Sequence, residues 1–233
     1  MATRPVYIPQ FSGNIYVTTE MVEFEWFAGL AVSQKQKSIR SLHQQAKEQL
    51  GLNTILEISS KSEESLGTEL SAFNLAFTSV CPAITMTVEC AFQGSKVFAQ
   101  GGPYTDIFTK TSMEAKKDSR LKESGVLKGF SFFNTHWPTE PKTAFYDWLY
   151  MNALAKNTVF VEQVLRYQAF TDIEFNSEKS INCQAYSVAM FVALSQRGML
   201  TQVLKNKDSY LEFVAGTNIH NARENQAQQP LLI

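Results

Sequence analysis

Hydrophobic residues recur along this chain at more than one period, and each period predicts a different element. From Ser33 to Leu50 the apolar positions Ile39, Leu42, Ala46 and Leu50 fall at helical spacing, with Lys35, Lys37, Arg40 and Lys47 on the other faces. Thr143 to Ala155, T-A-F-Y-D-W-L-Y-M-N-A-L-A, also reads as a helix. Its aromatics lie on more than one side, which predicts a place deep in the core. Further helices are expected over Val159 to Tyr167, over Ala185 to Gln196 with Gly198 at its end, and over Met199 to Phe213, and Ser112 is placed to cap a short one. Alternation marks the strands. Val22 to Phe27, V-E-F-E-W-F, predicts a half-buried strand, and Ala169 to Asn176 predicts another with Asp172, Glu174 and Asn176 on one side and Ile173 and Phe175 on the other. Ile55 to Ser60 and short pieces of Pro5 to Val17, broken at Pro9, Gly13 and Asn14, complete the strand set. Leu70 to Phe77 reads as a buried run interrupted by Ser71 and Asn74, whose polar groups need partners once buried.

These elements predict a single, predominantly helical α+β domain with a few short strands. Residues 1–58 form an N-terminal extension packed on a main domain of residues 59–214, and residues 215–233, rich in Asn and Gln, form a disordered tail.

The segment Val88 to Phe98, V-E-C-A-F-Q-G-S-K-V-F, places an acid, an amide and a base among apolar residues. Glu89, Gln93 and Lys96 stand at i, i+4 and i+7, so a helix here puts them on one face. That face is either a solvated Glu-to-Lys array or the wall of a binding site. The sequence Gly101-Gly102-Pro103 favours the second reading, because it ends the helix at a turn that lets a ligand approach the backbone.

Composition narrows the partners. With 233 residues and a formal net charge of -1, the chain is no globally basic nucleic-acid binder. Basic residues still cluster locally, on the first helix and again at Lys110, Lys116, Lys117, Arg120 and Lys122. The cysteines, Cys81, Cys90 and Cys183, are scattered and the histidines isolated, so neither a zinc site nor another cofactor is expected. The start lacks the apolar stretch of a signal peptide and no long apolar run follows, which points to a reducing cytoplasmic setting away from membranes.

No Walker loop, G-x-S-x-G, H-E-x-x-H or Rossmann fingerprint is present. What remains is a set of carboxylates and one lysine: Glu89, Asp172, Glu174 and Lys96, with Ser71, Asn74 and Asn182 in support. Such a set serves proton transfer, glycosidic cleavage or imine chemistry.

E-C-A-F-Q-G-S-K-V-F resembles the E-H-Y-F-Q-x-x-K-F signature of the NADAR (YbiA-like) superfamily, through Glu89, Phe92, Gln93, Lys96 and Phe98. L-S-A-F-N is similar to its S-N-F segment through Ser71 and Phe73, the segment around F-T-D-I-E-F-N places Glu174 on the family glutamate, and I-N-C-Q-A-Y-S-V-A-M places Asn182 on its asparagine. Cys90 replaces the usual histidine and the W-G-x-G element is missing. More narrowly, S-K-S-E-E-S-L-G, F-Q-G-S-K-V-F-A-Q-G-G-P-Y-T-D and E-P-K-T-A-F-Y-D-W-L-Y resemble the NADAR antitoxins that accompany DarT-type DNA ADP-ribosyltransferase toxins.

The resemblance implies a YbiA-like fold and an ADP-ribosyl glycohydrolase that frees guanine bases of DNA from ADP-ribose. ADP-ribosylated DNA is then the substrate and the cognate toxin a further partner. Lys96 serves an imine route as nucleophile, or Glu89 and Glu174 activate water in a direct one, with Asp172 beside them. Backbone amides near Gly101 and Gly102 meet the diphosphate, and Phe92, Tyr104 or Trp148 stacks on a base. Two other readings stand beside this one: an N-glycosidase for a free small metabolite, and a non-catalytic protein that binds ADP-ribose or the toxin.

Overall fold

The computed structural model describes residues 1–176 and 180–216. Strands β1 (Ala2–Pro9) and β2 (Val17–Phe24) form an antiparallel hairpin, followed by the long helix α1 (Val32–Leu50) and strand β3 (Ile55–Glu57). A short helix α2 (Ser65–Glu69) and the small hairpin of β4 (Ala76–Thr78) and β5 (Thr85–Thr87) lead into α3 (Val88–Gly94). Strand β6 (Lys96–Phe98) follows directly. It joins β7 (Leu127–Phe132) and β8 (Thr135–Trp137) in an antiparallel sheet, after the short helices α4 (Ser112–Lys117) and α5 (Arg120–Glu123). The rest comprises α6 (Ala144–Ala155), α7 (Thr158–Val164), β9 (Ala169–Thr171), α8 (Gln184–Gln196), α9 (Leu200–Val203) and α10 (Lys207–Gly216).

The main sheet has the order β2-β1-β9-β3, with β3 and β9 parallel and the other pairs antiparallel. Because side chains alternate, its two faces feed two cores. Val6, Ile55 and Ala169 meet Ile39, Leu42 and Ala46 of α1, while Tyr7, Leu56 and Phe170 join the larger core around α8. Every residue of α8 from Ala185 to Leu194 is buried, as suits a helix apolar on all sides. Helix takes 43% of the molecule and strand 19%, so it is helix-rich but built around a sheet. Among the described residues no helix is long and apolar enough to cross a membrane.

Helices α1, α6 and α8 follow their predicted spans, but several local expectations yield to packing. The helix expected to carry Glu89, Gln93 and Lys96 ends at Gly94, and Lys96 begins a strand in register with Phe130 of β7. A side chain at Gly94 would strike the Phe108 ring, and Ser95 turns its hydroxyl back to the Ala91 carbonyl (2.7 Å), closing the helix. The strand expected over Ala169 to Asn176 stops at Thr171, because Asp172 Oδ1 accepts the amides of Glu174 (3.0 Å) and Phe175 (3.2 Å) and bends the chain. Asp172 is therefore buried and Glu174 exposed, not side by side on one face. The cap of α4 is Thr111 rather than Ser112, since Glu114 reaches back to the Thr111 amide (2.9 Å) in a capping box. The single helix expected from Met199 to Phe213 is two, with Asn206 Oδ1 accepting the Ser209 amide (2.9 Å) to start α10. That helix runs through Gly216, so the tail expected from position 215 begins within it. The tail's other residues, from 217, lie outside those described.

Candidate functional site

Helix α3 is seated by the turn that precedes it in space. The Val88 and Glu89 amides, orphans of a helix start, donate to the carbonyls of Leu75 (3.0 Å) and Ala72 (2.9 Å), while Thr87 accepts the Cys90 amide (3.2 Å). This brings Glu89 to the Ser71–Leu75 turn and buries it to 8% exposure. Gln93, one helical turn on, donates from Nε2 to Glu89 Oε1 (3.0 Å). Lys96, past the helix end, lays its ammonium over the Phe92 ring at 4.8 Å from the centroid. Among the described residues no carboxylate is close enough to this ammonium to form an ion pair. Burial therefore pushes Lys96 below the ordinary lysine value of 10.5, and the charge of Glu89 opposes the shift in part.

Asp172 forms a second side, at the turn after β9. Burial pushes its carboxyl well above the usual carboxylate range, and the neighbouring charge of Glu57 adds to the shift. Gln184, the first residue of α8, lies beside it and ties the region together, donating to the Ile58 carbonyl (2.6 Å) and accepting the Ala72 amide (2.7 Å). Tyr146 of α6 links the two sides. Its ring meets Phe92 edge-on at 5.2 Å, and burial raises its hydroxyl, with the charges of both Glu89 and Asp172 contributing. Tyr150, one turn on, donates to the Leu70 carbonyl.

Behind Asp172, on the α1 face of the main sheet, runs a buried polar chain. Glu57 Oε1 accepts the Ile173 amide (2.8 Å), Glu57 Oε2 accepts the Thr171 hydroxyl (2.7 Å), and Thr171 Oγ1 meets His43 Nε2 at 2.8 Å. Burial raises Glu57 and, with Lys47 nearby, lowers His43 to about 4.

Four residues of the expected site, Ser71, Gln93, Trp148 and Asn182, each carry a buried polar atom with no partner among the described residues. Arg4, Trp137 and Ser195 carry others elsewhere. Buried polar atoms are nearly always paired.

A family model described as the DarT1-associated NADAR antitoxin matches residues 2–224. The chain belongs to this family. A search of curated proteins gave no match. The resemblance in the motifs thus extends over nearly the whole chain, the first strands and α1 included.

In this NADAR antitoxin, Glu89, Phe92, Gln93 and Lys96 lie close together beside the Ser71–Leu75 turn, though not on one helix face as the spacing predicted, and Tyr146 lies near both Glu89 and Asp172. Other expected residues have different surroundings. Glu174 is exposed and pairs with Lys35 (3.3 Å), whose ammonium also covers the Trp26 ring at 4.5 Å. Asn74 is exposed and donates to the Thr68 carbonyl (2.9 Å), and Phe73 is half-buried under Lys116 at 5.0 Å. Tyr104 shares a hydrogen bond with Ser124 and lies under the Arg120 guanidinium at 4.4 Å. Trp148 packs on Trp137 at 4.9 Å, on the side of α6 that meets α10. Asn182 lies just before α8. Gly101 closes onto Phe98, whose amide donates to its carbonyl (2.7 Å), and Gly102, at φ 84°, leaves no room for a Cβ against the Lys96 carbonyl. The glycine pair thus folds back on the strand that carries Lys96.

Both basic clusters are compensated in part. Lys110 and Arg120 are both paired with Asp106 and Asp118, and Arg40 pairs with Glu63 (2.8 Å). Cys90 is buried, its thiol donating to the Lys110 carbonyl, which suits a packing residue. No group of described side chains is arranged to hold a metal ion. Sequence reasoning missed Tyr146, Glu57 and Gln184. Tyr146 sits in an aromatic helix that reads as core, and Glu57 is one acid within the apolar run I-L-E-I. The signal that could have found Glu57 is an acid at a strand position whose neighbours are all apolar.

Proposed function

We propose that this antitoxin is an ADP-ribosyl glycohydrolase that removes ADP-ribose from guanine bases of DNA, with Lys96 as the nucleophile and Glu89 as the proton carrier. The observation that supports it best is a half-buried amine, laid over the Phe92 ring without an ion pair and within the field of the Glu89 carboxylate. Such an amine is unprotonated more often than a surface lysine at the same pH, and therefore able to attack carbon.

The reaction so read begins with the bond between the anomeric carbon of the distal ribose and the exocyclic amine of guanine. Ring opening gives an imine between that carbon and the base nitrogen, the ring oxygen leaving as a hydroxyl with a proton from solvent or an acid. Lys96 adds to the imine carbon. The carbon–nitrogen bond to guanine then breaks, its electron pair stays on the base nitrogen, and Glu89 supplies the proton that completes the amine. Water adds to the lysine imine, the lysine departs, and the freed aldehyde closes to ADP-ribose. One water is consumed and the enzyme is regenerated. Asp172, held toward its protonated form by burial, serves as a second acid within reach of Tyr146, and Glu174 adds charge that bears on Asp172 and Glu57.

Purified protein incubated with oligonucleotides carrying ADP-ribose on guanine or on thymine should release it from guanine. Lys96→Ala and Glu89→Gln should stay folded and lose release. Borohydride should trap wild-type protein with substrate, since an enzyme-linked imine is reducible in place. Full activity in both variants removes the proposed roles. Binding without release in wild type supports the non-catalytic reading, and release of a base from a free metabolite alone supports the metabolite reading.

A further inference from the structure

One end of the Gln93 carboxamide lies 3.0 Å from Glu89 Oε1. A carboxylate oxygen accepts and does not donate, so that end is the amino group and the carbonyl oxygen turns the other way. This oxygen is buried and meets no donor among the described residues. Gln93 also follows Phe92, whose ring carries the Lys96 ammonium at 4.8 Å. An acceptor is therefore fixed in direction by one group proposed to act in the reaction, on the residue that follows the ring under the other. A buried acceptor left in this state is unfavourable, and a ligand that brings a donor relieves it.

We infer that Gln93 Oε1 determines base specificity by accepting a hydrogen bond from the ring N–H that adjoins the glycosylated amine of the leaving base. The inference rests on the glycohydrolase reading and deepens it. Guanine supplies that donor at N1, directly beside its exocyclic amine. A thymine joined to ADP-ribose through its ring nitrogen presents carbonyl oxygens on both sides of the bond, and either would meet Gln93 Oε1 lone pair to lone pair. Discrimination of this kind is steep, because the wrong base leaves a buried acceptor unpaired as well as bringing a repulsive contact. Glu89 has two functions in this arrangement: it moves the proton and holds the carboxamide in its reading orientation.

The test compares two oligonucleotides, one with ADP-ribose on the exocyclic amine of guanine and one with it on the same amine of 2-aminopurine, where N1 accepts instead of donating. Wild type should favour the guanine substrate in kcat/KM by roughly tenfold or more, and Gln93→Met should bring the two to within about threefold of each other. The preference is a ratio within one enzyme, so a reduced folded fraction or an altered Glu89 cancels from it. Equal cleavage of both substrates by wild type, or a full preference retained by Gln93→Met, overturns the inference while leaving the glycohydrolase reading in place. A loss in Gln93→Met that is proportionate on both substrates does the same, since it assigns the acceptor to a ribose hydroxyl. Release from neither substrate by wild type removes the glycohydrolase reading and the inference with it.

Discussion

Replacing Gln184 with Met keeps the length and bulk of the side chain and removes its hydrogen bonding. In the native protein this carboxamide accepts the Ala72 amide at 2.7 Å and donates to the Ile58 carbonyl at 2.6 Å, and both backbone groups belong to buried residues. The variant leaves one buried N–H and one buried C=O unpaired, and at about 1–3 kcal/mol each the loss should be roughly 2–6 kcal/mol. Domains of this class are stable by about 5–15 kcal/mol, so the variant should remain folded at room temperature. Urea unfolding should show a lower midpoint with an unchanged slope, and the melting temperature should fall by roughly 5–15 °C. Activity should fall too, because Ala72 anchors the start of α3 through the Glu89 amide and Asp172 lies beside Gln184. A loss of less than about 1 kcal/mol would show that the backbone groups find other partners and that Gln184 does not hold the two sides together.

Other predictions follow from the charges. If Lys96 acts as a free amine, kcat/KM should rise with pH as it deprotonates. Glu89→Gln removes the charge that raises the Lys96 pKa, so the rising limb of its residual activity, or of reductive trapping, should move to lower pH; a move upward would place the limb on another group. Tyr146→Phe keeps the ring contact with Phe92 but removes the hydroxyl facing Glu89 and Asp172, so kcat should fall on the order of 10–100-fold with little change in melting temperature. Unchanged kinetics would make Tyr146 a packing residue. Burial raises the folded-state pKa of Glu57 above 4.5, so its stabilising effect is full below that pH and lost as pH rises through the folded-state value. Glu57→Gln should therefore match or exceed wild-type stability at neutral pH, with Thr171 reversing its hydroxyl to donate to neutral His43. Destabilisation by more than about 2 kcal/mol in urea melts would mean the carboxylate itself is required.

Much of this protein is legible along the chain. The apolar spacing of α1, the all-round hydrophobicity of α8 and the aromatic run of α6 each fix a helix and its depth, because side-chain direction within one helix depends on local geometry alone. The motif E-C-A-F-Q-G-S-K likewise gathers Glu89, Phe92, Gln93 and Lys96, since residues so close in sequence cannot lie far apart. Tertiary structure decides their environment. Lys96 leaves the helix because β7 offers its strand a partner, and the resulting turn carries the ammonium over Phe92. Asp172 and Glu174 look equivalent in an alternating run, yet the turn begun by Asp172 buries one and leaves the other to Lys35. Glu57 gains its meaning from Thr171, 114 residues away, through the parallel pairing of β3 with β9. Periodicity reports which way a side chain points relative to its own element; desolvation and charge coupling depend on what another element places against it.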